Sequence, residues 1–187
     1  MVYLLTFFLF ILIFFVQKFF IYPLEKIIFS SYLIEQASVL YLPHAVRIIS
    51  FFVLGPIVLI PIFCSQCFTY IILNDANVIN SIILSSLSTL SIFLGFKLFE
   101  LFKKKTKFKI DKIIEWKKII LIGILVSIFN SNLSSTYLFF YNKLTFDILL
   151  NLRFLVGDIL GLVFGMIIFI YLIKLYSLWI YNVRYKN

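Results

Sequence analysis

Long runs of apolar residues, separated by short polar or basic stretches, dominate the chain. In lipid every backbone N–H and C=O has to be bonded within the protein, so such runs predict helices, each needing about 20 residues to cross. The clear ones are 2–22, 78–102, 118–140 and 152–176. The run 41–73 would reach about 50 Å as one helix, against about 30 Å of hydrocarbon. Gly55-Pro56 near its middle suits a turn, so it divides into helices over 41–54 and 57–73, with a re-entrant pair as the alternative. Residues 24–40 carry Glu25, Lys26, Glu35 and Gln36 among apolar neighbours and read as an interfacial segment. The expectation is an all-α, polytopic bundle of about six membrane helices forming one domain over 1–187.

Composition agrees with a lipid environment: of 187 residues, 63% are hydrophobic and 13% charged, well below the roughly one quarter typical of soluble chains. A net charge of +9 suggests nucleic acid until the basic residues are placed. Lys103, Lys104, Lys105, Lys107, Lys109, Lys112, Lys117 and Lys118 fall in one stretch between apolar runs, as in a cytoplasmic loop facing anionic lipid. No base-reading module accompanies them, so no nucleic-acid partner is expected. With that loop inside, six crossings put both termini in the cytoplasm, consistent with Lys174, Arg184 and Lys186. A multi-pass protein of a bacterial inner membrane is the expected localisation. Residues 2–16 lack a preceding basic residue and a following small-residue cleavage site, and read as an uncleaved anchor.

Ionisable groups within membrane helices are costly and ask for a reason. Arg47 and Asp158 each stand about six residues into helices that descend from the same surface, at similar expected depth. A bidentate pair between them would join the two helices. Three uses are open: a structural clasp, a ligand-facing site, or an Arg47 that snorkels outward. Arg153 lies before Asp158 on the same side, and His44, the sole histidine, follows Pro43 near Arg47. Ser81, Ser85, Ser88 and Ser91 share one helix face, as do Ser127, Asn130, Ser131 and Ser134, with Asn132 nearby. Serines bond back to their own helix, so Asn130 is the stronger candidate for a ligand contact. Gly157, Gly161 and Gly165 recur every four residues and allow another helix to approach closely.

Lys97 and Glu100 read as a local pair. Cys64 and Cys67 form a lone CxxC in an apolar run without a second pair, so neither a metal nor a redox centre is expected, and no cofactor is called for. The apolar runs carry no nucleophile beside a base, no paired carboxylates and no phosphate-binding glycine loop, which disfavours an enzyme.

Two stretches carry a family resemblance. Ala37-Ser38-Val39-Leu40-Tyr41-Leu42-Pro43-His44-Ala45-Val46, with the later Leu54-Gly55-Pro56 break, resembles the aromatic-x-Pro opening of membrane-associated sensor (MASE) domains of the first class. Leu152-Arg153-Phe154-Leu155-Val156-Gly157-Asp158-Ile159-Leu160-Gly161 is similar to the stretch of that family that leads into Gly-Asp-x-x-Gly. Ala45 stands where the family has glycine, and Arg153-Phe154-Leu155 where it has tryptophans. The resemblance implies an integral membrane sensory module. With no output domain on this chain, it would signal through a membrane partner or a second copy. The expected ligand is a small anion held by Arg47, with Asp158 holding the arginine. The competing readings are a substrate-capturing subunit of an energy-coupling-factor type uptake transporter and an assembly component of a membrane complex.

Overall fold

A computed structural model describes residues 1–29, 37–73, 77–105, 115–142 and 148–185, and the described residues are almost entirely helical. Six helices follow in order: α1 (Val2–Phe29), α2 (Pro43–Leu54), α3 (Pro56–Ile72), α4 (Val78–Lys105), α5 (Glu115–Asn142) and α6 (Ile148–Tyr185). Four of them, α1, α4, α5 and α6, are long and apolar enough to cross a membrane, which makes the chain a multi-pass membrane protein.

Six crossings were expected, and the difference lies in α2 and α3. Gly55, at φ 77, breaks the apolar run where only glycine sits without strain, and Pro56 opens a short 3-10 turn after it. The 12 residues of α2 then reach about 18 Å, short of the hydrocarbon thickness. Nor does α2 offer a lipid-facing side over most of its length, since Pro43 to Ile48, Ser50 and Phe51 are buried. It is the central helix, touching α1, α4, α5 and α6, while α3 packs on α1 and α4.

The first helix also departs from expectation. The end of the apolar run and the charged pair Glu25-Lys26 predict its end near residue 22, yet it continues past Pro23 to Phe29 through a π-helical turn at Gln17–Ile21. Proline removes a backbone donor and crowds the preceding turn, and a wider turn relieves both. The extra residue has a second effect. At about 100° per residue, positions 17 and 25 would diverge by about 80° in an ideal helix, and one inserted residue cancels most of that. Gln17 and Glu25 therefore share one buried face. Of the segment 24–40 read as interfacial, 24–29 belongs to α1, 30–36 lies outside the described residues, and 37–40, together with 41–42 of the next expected helix, runs as non-helical backbone into the bundle.

Along its axis the interior divides in two. Toward Gly55 it is apolar, built from Ile48 and Phe51 of α2, Ile62 of α3, Ile92 of α4, Val126 of α5 and Leu162 of α6. Toward the N-terminus of α2 it is polar, lined by the inward serines of α4 and α5 together with Gln66, Asn130 and Asp158. Outside, apolar side chains stay exposed around the whole bundle, as lipid contact requires.

Candidate functional site

Non-helical backbone at membrane depth needs internal partners, and 37–42 finds them in side chains. The Glu25 carboxylate accepts from Val39 N at 3.1 Å, Leu40 N at 2.9 Å and the Ser38 hydroxyl at 2.7 Å. Gln17 accepts from Leu42 N at 3.0 Å and donates to Ser38 Oγ at 2.9 Å. Tyr41 N donates to the Gly157 carbonyl of α6 at 3.0 Å. The shared face created by the π turn thus holds one side of the segment, and α6 holds the other.

The glycine spacing on α6 makes that approach possible. A methyl group on Gly157 would strike the Ser38 carbonyl, one on Gly161 the Tyr41 carbonyl, and one on Gly165 the Ala45 side chain. The close approach expected from Gly157, Gly161 and Gly165 is therefore made chiefly to the segment leading into α2 and to its first turn. Pro43 occupies the start of α2, where its missing N–H has no helical partner to lose. The two stretches that resemble MASE domains lie against each other.

Arg47, one turn into α2, is 1% exposed, and Asp158 is likewise 1% exposed. Arg47 Nη2 reaches Asp158 Oδ1 at 3.4 Å and His44 Nδ1 at 2.7 Å, while Nη1 donates to Ser88 of α4. The Tyr41 ring packs against the same guanidinium, its centroid 5.5 Å from Cζ, adding a cation–π contact. The pair is a single-nitrogen contact and not a bidentate fork, because the guanidinium divides its donors among three partners. Asp158 Oδ2 accepts from Asn130 Nδ2 of α5 at 2.7 Å, and His44 Nδ1 lies 3.3 Å from the same oxygen. Arginine can only donate, so the short Arg47 contact makes Nδ1 the acceptor and assigns the proton to Nε2, which faces Ser127 Oγ at 3.3 Å.

Four helices therefore meet at one buried network, and Arg47, His44, Asp158 and Asn130 come together in it. Arg153 does not. It is half-buried, nearer the start of α6, and its Nη1 has no hydrogen-bond partner. Gln66 of α3 enters instead, its Nε2 donating to Ser88 Oγ at 3.0 Å. The sequence held a signal for Gln66, Gln17 and Glu25: each is a polar group with long side-chain reach inside or beside an apolar run, the same reason that singled out Arg47.

The network is incomplete. Arg47 Nε, Gln66 Oε1, Asn130 Oδ1 and Ser85 Oγ are all buried without a partner. Such atoms cost free energy when left bare, and more in a low-dielectric interior. Ser85 is one turn from Ser88 on α4, Arg47 and Gln66 both donate to Ser88, and Asn130 donates to the carboxylate that faces Arg47, so the four residues belong to one network.

Other sequence candidates stay apart from this region. Cys64 is exposed, Cys67 is half-buried, and both are free thiols. Lys97 and Glu100 pair at 3.7 Å on the surface. Among the described residues no group of three His, Cys, Asp or Glu side chains is placed to hold a metal ion. Compared with protein-family models, curated proteins and solved structures, the chain matches none.

Proposed function

We propose that the chain is a membrane ligand-binding module of the sensory kind, seated in a bacterial inner membrane with both termini cytoplasmic. The observation that carries this reading is the set of bare polar atoms around Arg47, since a clasp evolved only for stability would gain by filling or removing them. The same atoms in a ligand site are partners in waiting. The contact between the two MASE-like stretches adds support, because it assembles this site. Non-helical backbone entering a bundle beside a short, glycine-terminated helix is also how membrane proteins build substrate sites.

In this reading α6 is the output element. It carries Asp158 at the site, packs its glycines against the segment that enters α2, and continues beyond Met166 as an exposed apolar helix through Leu178. Occupancy of the site changes the fit between α2 and α6, and a membrane partner or second copy reads the resulting position of α6.

The test is a thermal-stability screen of protein purified into lipid nanodiscs against a metabolite library, with Ser85→Ala as the control. Compounds that stabilise the wild type and not a folded Ser85→Ala protein support the reading. A well-folded wild type that no compound stabilises, and that carries no small molecule from the cell by native mass spectrometry, returns the network to a structural role. Co-purification with an ATP-hydrolysing coupling subunit would select the transport capture subunit instead.

A further inference from the structure

Resting on that reading, we infer that the ligand is a small uncharged molecule bearing both hydrogen-bond donors and an acceptor, as in a carboxamide, urea or polyol, and not the anion that an arginine by itself suggests. The charge of Arg47 is already met inside the protein by Asp158 at 3.4 Å. Among the described residues the Arg47, Asp158, Asn130, Gln66 and Ser85 set sums to no net charge. An anion entering there would face the Asp158 carboxylate and the amide oxygens. A cation would face the guanidinium.

What remains unpaired is mixed in kind. Arg47 Nε is an obligate donor and Asn130 Oδ1 an obligate acceptor, the latter because Asn130 must turn its Nδ2 toward the carboxylate. Gln66 presents one free amide end, its oxygen as oriented by the Nε2 bond to Ser88, and Ser85 can act either way. A ligand that completes the set offers one acceptor to Arg47 and donors to the two amides. A carboxylate or fully ionised phosphate offers acceptors alone, and an ammonium group donors alone. Each of these side chains is more than nine-tenths buried, so a mismatch cannot be repaired by bulk water.

The test places a thiol in the site and asks which charge can reach it. Ser85→Cys is made in a Cys64→Ala/Cys67→Ala background and held in proteoliposomes. It is then treated with 2-hydroxyethyl, 2-sulfonatoethyl or 2-trimethylammonioethyl methanethiosulfonate, three water-soluble reagents that differ mainly in charge. Rates are referred to each reagent's rate with free cysteine.

The neutral reagent is expected to react faster than either charged one by about a hundredfold, from the penalty on carrying net charge into a membrane interior. In an added Asp158→Asn background, where the Arg47 charge is unmatched, the preference should move toward the sulfonate. A sulfonate that matches or beats the neutral reagent in the parent protein overturns the inference in favour of an anion site and leaves the binding reading standing. A trimethylammonium that does so overturns it in favour of a cation site. A thiol that none of the three modifies in folded protein, but all modify after denaturation in SDS, marks a sealed core and overturns the binding reading itself.

Discussion

Removing both charges of the Arg47–Asp158 contact should destabilise the bundle by far less than the sum of removing each alone. Asp158→Asn keeps the side-chain shape and strips Arg47 of the carboxylate that faces it, while the His44 and Ser88 contacts persist. Breaking a buried pair costs about 3–5 kcal/mol. The single-nitrogen contact at 3.4 Å argues for the lower end, about 3 kcal/mol. Arg47→Met, which keeps length and loses charge, leaves Asp158 with Asn130 as its donor and should lose a similar amount. The double variant Arg47→Met/Asp158→Asn carries no unpaired charge, only unmet valences on Ser88, His44 and the new amide at 158, at about 1 kcal/mol each. Its loss should be about 3 kcal/mol, against about 6 for two independent changes. SDS titration of the protein in mixed micelles, followed by circular dichroism, reads all four proteins on one scale. Additivity within about 0.5 kcal/mol would mean that the two groups do not act on each other and would refute the central network. Exchanging the charges, Arg47→Asp with Asp158→Arg, should likewise recover expression relative to either single change.

Two further outcomes follow from the contacts around this pair. Gly165→Ala should destabilise by about 1–3 kcal/mol through collision with Ala45, and Ala45→Gly in the same chain should restore most of the loss, as read by the same titration. Gly161→Ala meets backbone instead and should have no such single-residue rescue. Glu25→Ala removes the acceptor of Val39 N, Leu40 N and the Ser38 hydroxyl, so amide exchange at 39 and 40 should quicken sharply while exchange within α5 stays slow. Equal quickening everywhere would mean that Glu25 supports the whole fold and not this segment.

Much of this arrangement is legible from residue pattern because the bilayer limits the options. Long apolar runs had only helices to become, and α4, α5 and α6 follow the expected runs closely while α1 runs on past its expected end to Phe29. The Gly55 break was visible because glycine and proline together leave few other conformations. Arg47 and Asp158 stood out as charges in apolar surroundings, and helix rise alone placed them at one depth. What stayed hidden depends on geometry that periodicity does not encode. A π turn shifts the register of α1 by one residue and turns Glu25 from an interfacial residue into a buried one. The central position of α2 could not be read from its own composition, because it is a property of the four helices packed around it, α1, α4, α5 and α6. The single-nitrogen contact of Arg47 with Asp158 was hidden for the same reason: Ser88 and His44 compete for the guanidinium, and only the folded chain brings Ser88 to it.

The central claim is that the bare polar atoms beside Arg47 are kept for a ligand and not for the fold, and Gln66→Leu tests it most directly. Leucine has nearly the volume of glutamine and deletes the unpartnered Oε1 together with the Nε2 bond to Ser88, which keeps its contact with Arg47. Thermal unfolding without ligand, set beside native mass spectrometry of protein taken directly from membranes, reads both consequences in one pair of samples. The expected result is a variant at least as stable as the wild type, by up to about 1 kcal/mol, that has lost the small-molecule adduct the wild type carries. A variant that is less stable by 2 kcal/mol or more, on the order of a lost packing or bonding element, and whose mass profile matches the wild type would contradict the claim and make the network a clasp.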